Sequence, residues 1–420
     1  MDEKRPAFDG RSEQHRPNGQ ALQRMLDHPD PEQGTVHTPR EIAQQPELWR
    51  HTARLMGEHA PELRSFMEAA GMYGEHPPPV VLAGAGTSHY IGLSVVDLFR
   101  QQFCTSCTSK PTTRMTANPD LYLEGDRPSL MIHFARSGNS PDSRAVLEAG
   151  LQRMGDQGRH LVITCNEDGT LADIARAHPD RVGLVVLPEA SHDQGLAMTS
   201  SYSSMVVAAQ ALAHLDRMAA FREQVDRTAQ AGEYVLHTYP DRIRERVGRD
   251  ISRAFFLGNN DLFGAATESA LKVQELTAGQ ILAQGGDALS FRHGPISAVD
   301  ERSLVCFYLS ERSYTRRYEL DVVRQYQDAF RDIGAETVVV TSEPPEEELG
   351  EGVTVMSYDP DRQWTVSALQ QVTVAVLFGQ LAGLFAAHRR GVNVDEPSAE
   401  KALYNRTVQG VRLYDPSEVF

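Results

Sequence analysis

The sequence has few cysteines and tryptophans, no long apolar run and no basic cluster. Four cysteines in 420 residues, Cys104, Cys107, Cys165 and Cys306, cannot form a disulfide framework. The opening MDEKRPAFDGRSEQHRP has no apolar stretch of the kind a secretory signal needs, so a reducing cytoplasm is expected. The longest apolar segment, Val372 to Ala387, carries Gln380 and falls short of the roughly 20 residues that span a bilayer. A buried helix is expected there, and no membrane partner. Acidic residues outnumber Lys and Arg by 57 to 41, a net charge of -16 that disfavours nucleic acid and anionic lipid. Any anionic ligand must therefore be held by local amides, hydroxyls and a few cations.

With 40% hydrophobic residues, the chain can bury sizeable cores, and its length fits two or three domains. Residues 1–37 lack periodicity and are expected as a flexible extension. Thr38-Pro39-Arg40-Glu41 reads as a capping box opening a helical lead-in over 38–76. From Val80, short apolar runs alternate with amphipathic ones. Strands are expected at 80–83, 130–134, 160–164 and 183–187, then again at 254–257, 304–309, 337–340 and 353–356, with helices such as 140–154 and 200–218 between. Alternation of this kind implies an α/β fold with parallel sheets. Leu82 and Leu257, Ser137 and Ser310, and Ile163 and Val339 are each separated by about 175 residues, as an internal duplication requires. The two α/β domains are expected over 77–238 and 241–400, joined near Tyr239-Pro240-Asp241, with a tail over 401–420.

Three polar loops follow strand ends. Ala83-Gly84-Ala85-Gly86-Thr87-Ser88-His89 has His where a dinucleotide fingerprint needs its third glycine, so a phosphate cup lined by Thr87 and Ser88 fits better. Ala135-Arg136-Ser137-Gly138-Asn139-Ser140-Pro141 offers the hydroxyls of Ser137 and Ser140, although Ser140 is equally placed to cap the next helix. Glu189 to Ser201, with Thr199 and Ser200, is the third, and Ser200 is expected among the groups that bind the substrate or its phosphate. On a helix in the second half, Glu268, Lys272 and Glu275 share one face. They form either an exposed salt-bridged stripe or a carboxylate base held beside a lysine. His293, before the Gly294-Pro295 turn, is either structural or part of the same chemistry. Cys104 and Cys107 form a C-x-x-C with no second pair, so buried inert thiols are favoured over zinc and no metal is expected.

The segments 83–88, 135–143, 189–203, 268–279 and 291–295 together resemble the tandem sugar-isomerase (SIS) domain family, in particular its bacterial galactosamine-6-phosphate deaminase/isomerase branch. The likeness extends from Thr38 to Tyr414. It implies two tandem SIS domains, each a three-layer αβα sandwich of flavodoxin-like topology, acting on a phosphorylated amino sugar with no cofactor. The resemblance carries phosphate binding onto Gly86, Thr87, Ser88, Ser137 and Ser140, the proton-moving base onto Glu275, a nearby lysine onto Lys272, and the ring-opening group onto His293. In the related synthase, that histidine comes from a neighbouring subunit, which implies a homodimer or larger assembly and a tail closing on the site. Two departures stand out. Ala135-Arg136 replaces Ser-Gln, giving Arg136 a role toward phosphate or sugar, and the synthase's carboxyl-terminal lysine is replaced near Asn405, which is itself expected to bind the substrate. The second departure favours a deaminase over the synthase's route. Plain aldose-ketose isomerisation and a non-catalytic sugar-phosphate sensor are the alternatives.

Overall fold

The computed structural model describes residues 20–123, 125, 127–248, 250–398 and 410–420. Helices α1 (Gln20–Asp27), α2 (Thr38–Ala43), α3 (Gln45–Glu58) and α4 (Ala60–Ala69) precede the first strand. Part of the segment expected as an extension is thus an ordered helix. Ala21, Leu22 and Met25 of α1 are buried, and the Ala21 amide donates to Asp241 at 3.3 Å. The capping box does not form. Asp395, from the far end of the chain, accepts the amides of Val36, His37 and Thr38 at 2.8–3.0 Å, leaving Glu41 to reach elsewhere. A carboxylate taking three amides outcompetes one threonine hydroxyl.

The first domain contains β1 (Val80–Gly84), α5 (Thr87–Phe103), β2 (Cys107–Pro111), α6 (Thr112–Ala117), α7 (Pro119–Tyr122), β3 (Ser129–Ala135), α8 (Pro141–Arg153), β4 (Gly158–Thr164), α9 (Thr170–Ala177), β5 (Val182–Val186) and α10 (Ser200–Leu212). Helices α11 (Met218–Thr238) and α12 (Pro240–Arg246) lead to the second: β6 (Arg253–Leu257), α13 (Asp261–Leu276), β7 (Leu282–Gly286), α14 (Ala288–Phe291), β8 (Ser303–Tyr308), α15 (Ser313–Ile333), β9 (Glu336–Thr341), β10 (Val353–Ser357) and α16 (Gln371–Arg389). The two sheets are parallel and have the same order, β2-β1-β3-β4-β5 and β7-β6-β8-β9-β10. This is the duplicated α/β fold the sequence implied. Sequence reading missed β2 and β7, which are the matching edge strands, CTSKP and LAQGG. Each carries only one or two apolar side chains and is largely half-buried or exposed, so hydrophobic patterning does not mark it, whereas the opposite edge strands β5 and β10 are apolar enough to be read. Expected helix 200–218 ends at Leu212 and restarts at Met218. The junction at Tyr239 is no loose linker, since its buried hydroxyl donates to the Ser357 carbonyl at 2.6 Å. Cysteines 107, 165 and 306 are buried, whereas Cys104 is exposed, and all four are free thiols.

What positions the site is the packing of helices between the two sheets. The apolar α16 has the length and composition of a membrane span yet is almost wholly buried within the fold. Its Gly379 lies against Ser269, and its Gly383 against Leu276 and the Lys272 backbone; a Cβ at either would sit 2.2–2.9 Å from those atoms. On the other flank, Gly264 of α13 lies against Ser94 of α5, where a Cβ would come within 2.1 Å of the serine hydroxyl. Small residues let α5, α13 and α16 approach closely, so the first helix of each domain meets its counterpart. The N-terminal turn of α5 is thereby brought onto the middle of α13.

Candidate active site at the meeting of the two domains

The turn from β1 into α5 is tight. A Cβ on Gly84 would lie 2.3 Å from the Ser88 backbone, so only glycine fits. Gly86 has φ 54°, and nothing lies within 4 Å of where its Cβ would be. The backbone therefore presents an open cup at a helix N-terminus, where amide N–H groups and the helix dipole favour an anion. Thr87 and Ser88 are both buried at its base.

From the other domain, α13 supplies three ionisable groups on one face. Glu268 and Lys272 are 0% and 1% exposed, which excludes the solvated stripe, while Glu275 retains 21% exposure. Lys272 Nζ lies 2.5 Å from Glu275 Oε2 and 3.4 Å from Glu268 Oε1. It also donates to Thr87 Oγ1 at 3.1 Å, and Thr87 in turn donates to Glu268 Oε1 at 3.3 Å. The cup and the carboxylates are thus joined across the domain boundary. Burial pushes Glu268 up to about 8, with Lys272 opposing and Glu275 reinforcing that shift. Burial alone would lower Lys272, but the two carboxylates outweigh it and raise the lysine, so it stays an ammonium. Chemically, a part-exposed carboxylate beside a fixed cation, as Glu275 is, is an arrangement that can move a proton.

The remaining sequence candidates divide. Ser140 occupies the position before α8 but makes no capping bond with its side chain, so its hydroxyl is available to a ligand. Ser137 accepts the Asn139 amide at 3.3 Å, and its carbonyl takes the Asn166 side chain at 2.9 Å, which stiffens that loop. Arg136 is buried and donates to the carbonyls of Gly195 and Leu196 at 3.4 and 3.0 Å, tying down the third loop. Ser200 is fully buried at the first turn of α10, and its hydroxyl donates to Asp193. His293 is exposed on the turn after α14. Among the described residues its ring makes no hydrogen bond or ion pair, and nothing links it to Lys272 or Glu275 within this chain. Asn405 lies outside the described residues. Residues 411–419 run along α6 and α8 and enclose with them a cavity of about 750 Å³ lined by Met115, Val146 and Tyr414.

Sequence reading missed the device that holds the third loop. Asp193 accepts the amides of Thr199, Ser200 and Ser201 and the hydroxyls of the same three residues. Glu41 takes the amides of Gln194 and Gly195, and Leu196 donates to the Asp395 carbonyl at 2.8 Å. Burial, together with the neighbouring Asp193, pushes Glu41 up to about 8. An Asp shortly before Thr-Ser-Ser and an apolar run was a capping signal open to sequence reading. The roles of Glu41 and Asp395, from opposite ends of the chain, had no local signal at all.

Two matching parallel sheets, a glycine cup in one domain and a Glu-Lys-Glu set around a buried lysine in the other are the marks of a tandem SIS-domain protein. No family model matches the chain. It is 34% identical over 388 residues to the D-galactosamine-6-phosphate deaminase of a Shewanella species, covering 91% of this chain and 92% of that protein. It is 33% identical over 380 residues to the Escherichia coli D-galactosamine-6-phosphate deaminase, covering 90% and 95%. Among solved structures, the Escherichia coli tagatose-6-phosphate ketose/aldose isomerase superposes with a TM-score of 0.78 at 30% identity, covering 90% of this chain and 96% of that one. The chain belongs to the bacterial D-galactosamine-6-phosphate deaminase family of tandem SIS-domain proteins.

Proposed function

We propose that this protein converts D-galactosamine 6-phosphate to tagatose 6-phosphate and ammonia. The observation that carries this reading is the Lys272–Glu275 pair, bonded through Thr87 to the open glycine cup. The cup, with Ser88, Ser137 and Ser140, holds the phosphate. His293 is supplied across a homodimer interface, which fits its exposure and its lack of partners among the described residues, and it assists opening of the pyranose. Glu275 then removes the C2 proton of the open-chain amino aldose, and the electron pair forms the C1–C2 double bond as the C1 carbonyl becomes an enol. Return of a proton to C1 places the double bond between C2 and nitrogen. Water adds to that imine, and ammonia leaves to give the ketose. Lys272 holds the Glu275 carboxylate in place, and positioned acid-base steps of this kind are worth about 10² to 10⁴ in rate. Arg136 acts by holding the Gly195–Leu196 segment in place.

The test is ammonia release from galactosamine 6-phosphate by the full-length protein. Absence of turnover, or an undiminished rate in Glu275→Gln, would overturn the reading. Interconversion of galactose 6-phosphate and tagatose 6-phosphate without nitrogen would replace it with plain isomerisation.

A further inference from the structure

We propose that Glu268 is a positioning residue that takes up a proton when a dianion occupies the cup, and that this proton frees the Thr87 hydroxyl to face the ligand. The inference rests on the cup's being the phosphate subsite and goes beyond it in assigning a role to a carboxylate that touches no substrate. A threonine hydroxyl has one hydrogen and two lone pairs. At Thr87 the hydrogen goes to Glu268 Oε1 and one lone pair takes the Lys272 ammonium. With Glu268 ionised, Thr87 therefore has no hydrogen left for a phosphate oxygen. With Glu268 protonated, the direction reverses. The carboxylic acid donates to Thr87 Oγ1, Lys272 still donates, and the threonine hydrogen turns to the cup.

The charges favour that reversal. One ammonium stands between two carboxylates, so the set carries an excess negative charge, and Glu268 Oε2 is buried with no partner among the described residues. An ionised, half-unpaired carboxylate in a dry interior is costly, and a dianion arriving one side chain away raises that cost. Binding a proton removes it. The groups facing Glu268 are Lys272 and Glu275 on α13, Thr87 and Tyr90 on α5, and Tyr202 on α10, whose hydroxyl pairs with Ser94. Burial raises both phenols, so they stay neutral and cannot supply or accept the charge. Helix α16 meets α13 through Gly379 and Gly383, and its charged residues lie only in its last turn. Glu268, pushed up to about 8 chiefly by its burial, is poised to change state near neutral pH.

The experiment is calorimetric titration of the full-length protein with inorganic sulfate, a dianion throughout the range, at pH 6, 8 and 9 in buffers of differing ionisation enthalpy. The wild type is expected to take up about one proton per sulfate at pH 9 and nearly none at pH 6, with affinity falling about tenfold per pH unit above pH 8. Glu268→Gln, which cannot titrate, should take up none and show a flat profile. Thr87→Val keeps the carboxylate but loses the affinity gained between pH 9 and pH 6. Sulfate binding by the wild type without proton uptake, or uptake unchanged in Glu268→Gln, overturns the proposal. Ammonia release is scored separately, so failure of the deaminase reading leaves the proton count standing on its own.

Discussion

The loops after β1 and after β6 occupy the same place in two copies of one fold, and they have diverged chemically while keeping their backbone. Gly84, Gly86 and Ser88 correspond to Gly258, Asn260 and Leu262. A Cβ on Gly84 would strike the Ser88 backbone, and one on Gly258 would lie 2.6 Å from the Leu262 carbonyl. Gly86 and Asn260 even share their dihedral angles, φ/ψ of 54/−126° and 52/−128°. Yet the first loop offers an open cup with Thr87 beside it. The second has an asparagine bonded to Asp97 at 3.4 Å, and a buried Asp261 whose carboxylate oxygens find no partner among the described residues. One loop suits an anion and the other repels it. The duplication therefore supplied two equivalent platforms, and in the proposed reaction one binds the ligand while the helix after the other, α13, provides the acid-base groups.

This division of labour can be broken in order of expected effect. Glu275→Gln should lower ammonia release by about 10² to 10⁴ while leaving the thermal transition near that of wild type, because the amide keeps the shape but not the base. Gly84→Ala and Gly258→Ala should each cost about 2–4 kcal/mol in denaturant unfolding, since both Cβ atoms meet backbone that cannot step aside. A large difference between the two variants would break the equivalence of the platforms. Asp261→Asn should stabilise the protein by about 1–3 kcal/mol at pH 8 and by little at pH 5. The sign follows from burial, and the neighbouring Asp97, pushing Asp261 up to about 7. The folded state then holds a proton that the unfolded state has released, so stability is present at low pH and lost as pH rises through 7. Finally, Gly86→Asn borrows the residue that the second loop tolerates at the same angles. It should fold, with KM for the sugar phosphate raised roughly tenfold, about 1.4 kcal/mol, by a side chain in the cup.

Much of the frame was legible because it is written in local patterns. Buried parallel strands such as Ser129–Ala135 and Ser303–Tyr308 are near-continuous apolar runs, and the glycine loops punctuate them. The edge strands β2 and β7 escaped because CTSKP and LAQGG hold too few apolar residues for such a signature, unlike the opposite edges β5 and β10. At the site, the shared face of Glu268, Lys272 and Glu275 followed from helical spacing, but whether that face met solvent or another domain did not. Ser200 and Arg136 looked like anion ligands by residue type. They instead hold the third loop, because Asp193 and the Gly195–Leu196 carbonyls lie within reach only after folding.

By itself, the amino-acid sequence determined the two parallel-sheet domains, their common origin, the cup at Gly86 and the order of acidic and basic groups along α13, since each depends on residues close together in the chain. Tertiary structure alone decided that Lys272 would be buried between two carboxylates with Thr87 of the other domain as its third partner. It also decided that Asp395 and Glu41, more than 350 residues apart, would hold the same region of the fold. The first outcome depends on how closely α5, α13 and α16 approach, which is set by glycines fitting against side chains far away in sequence, and the second on a carboxylate meeting backbone amides from the other end of the chain.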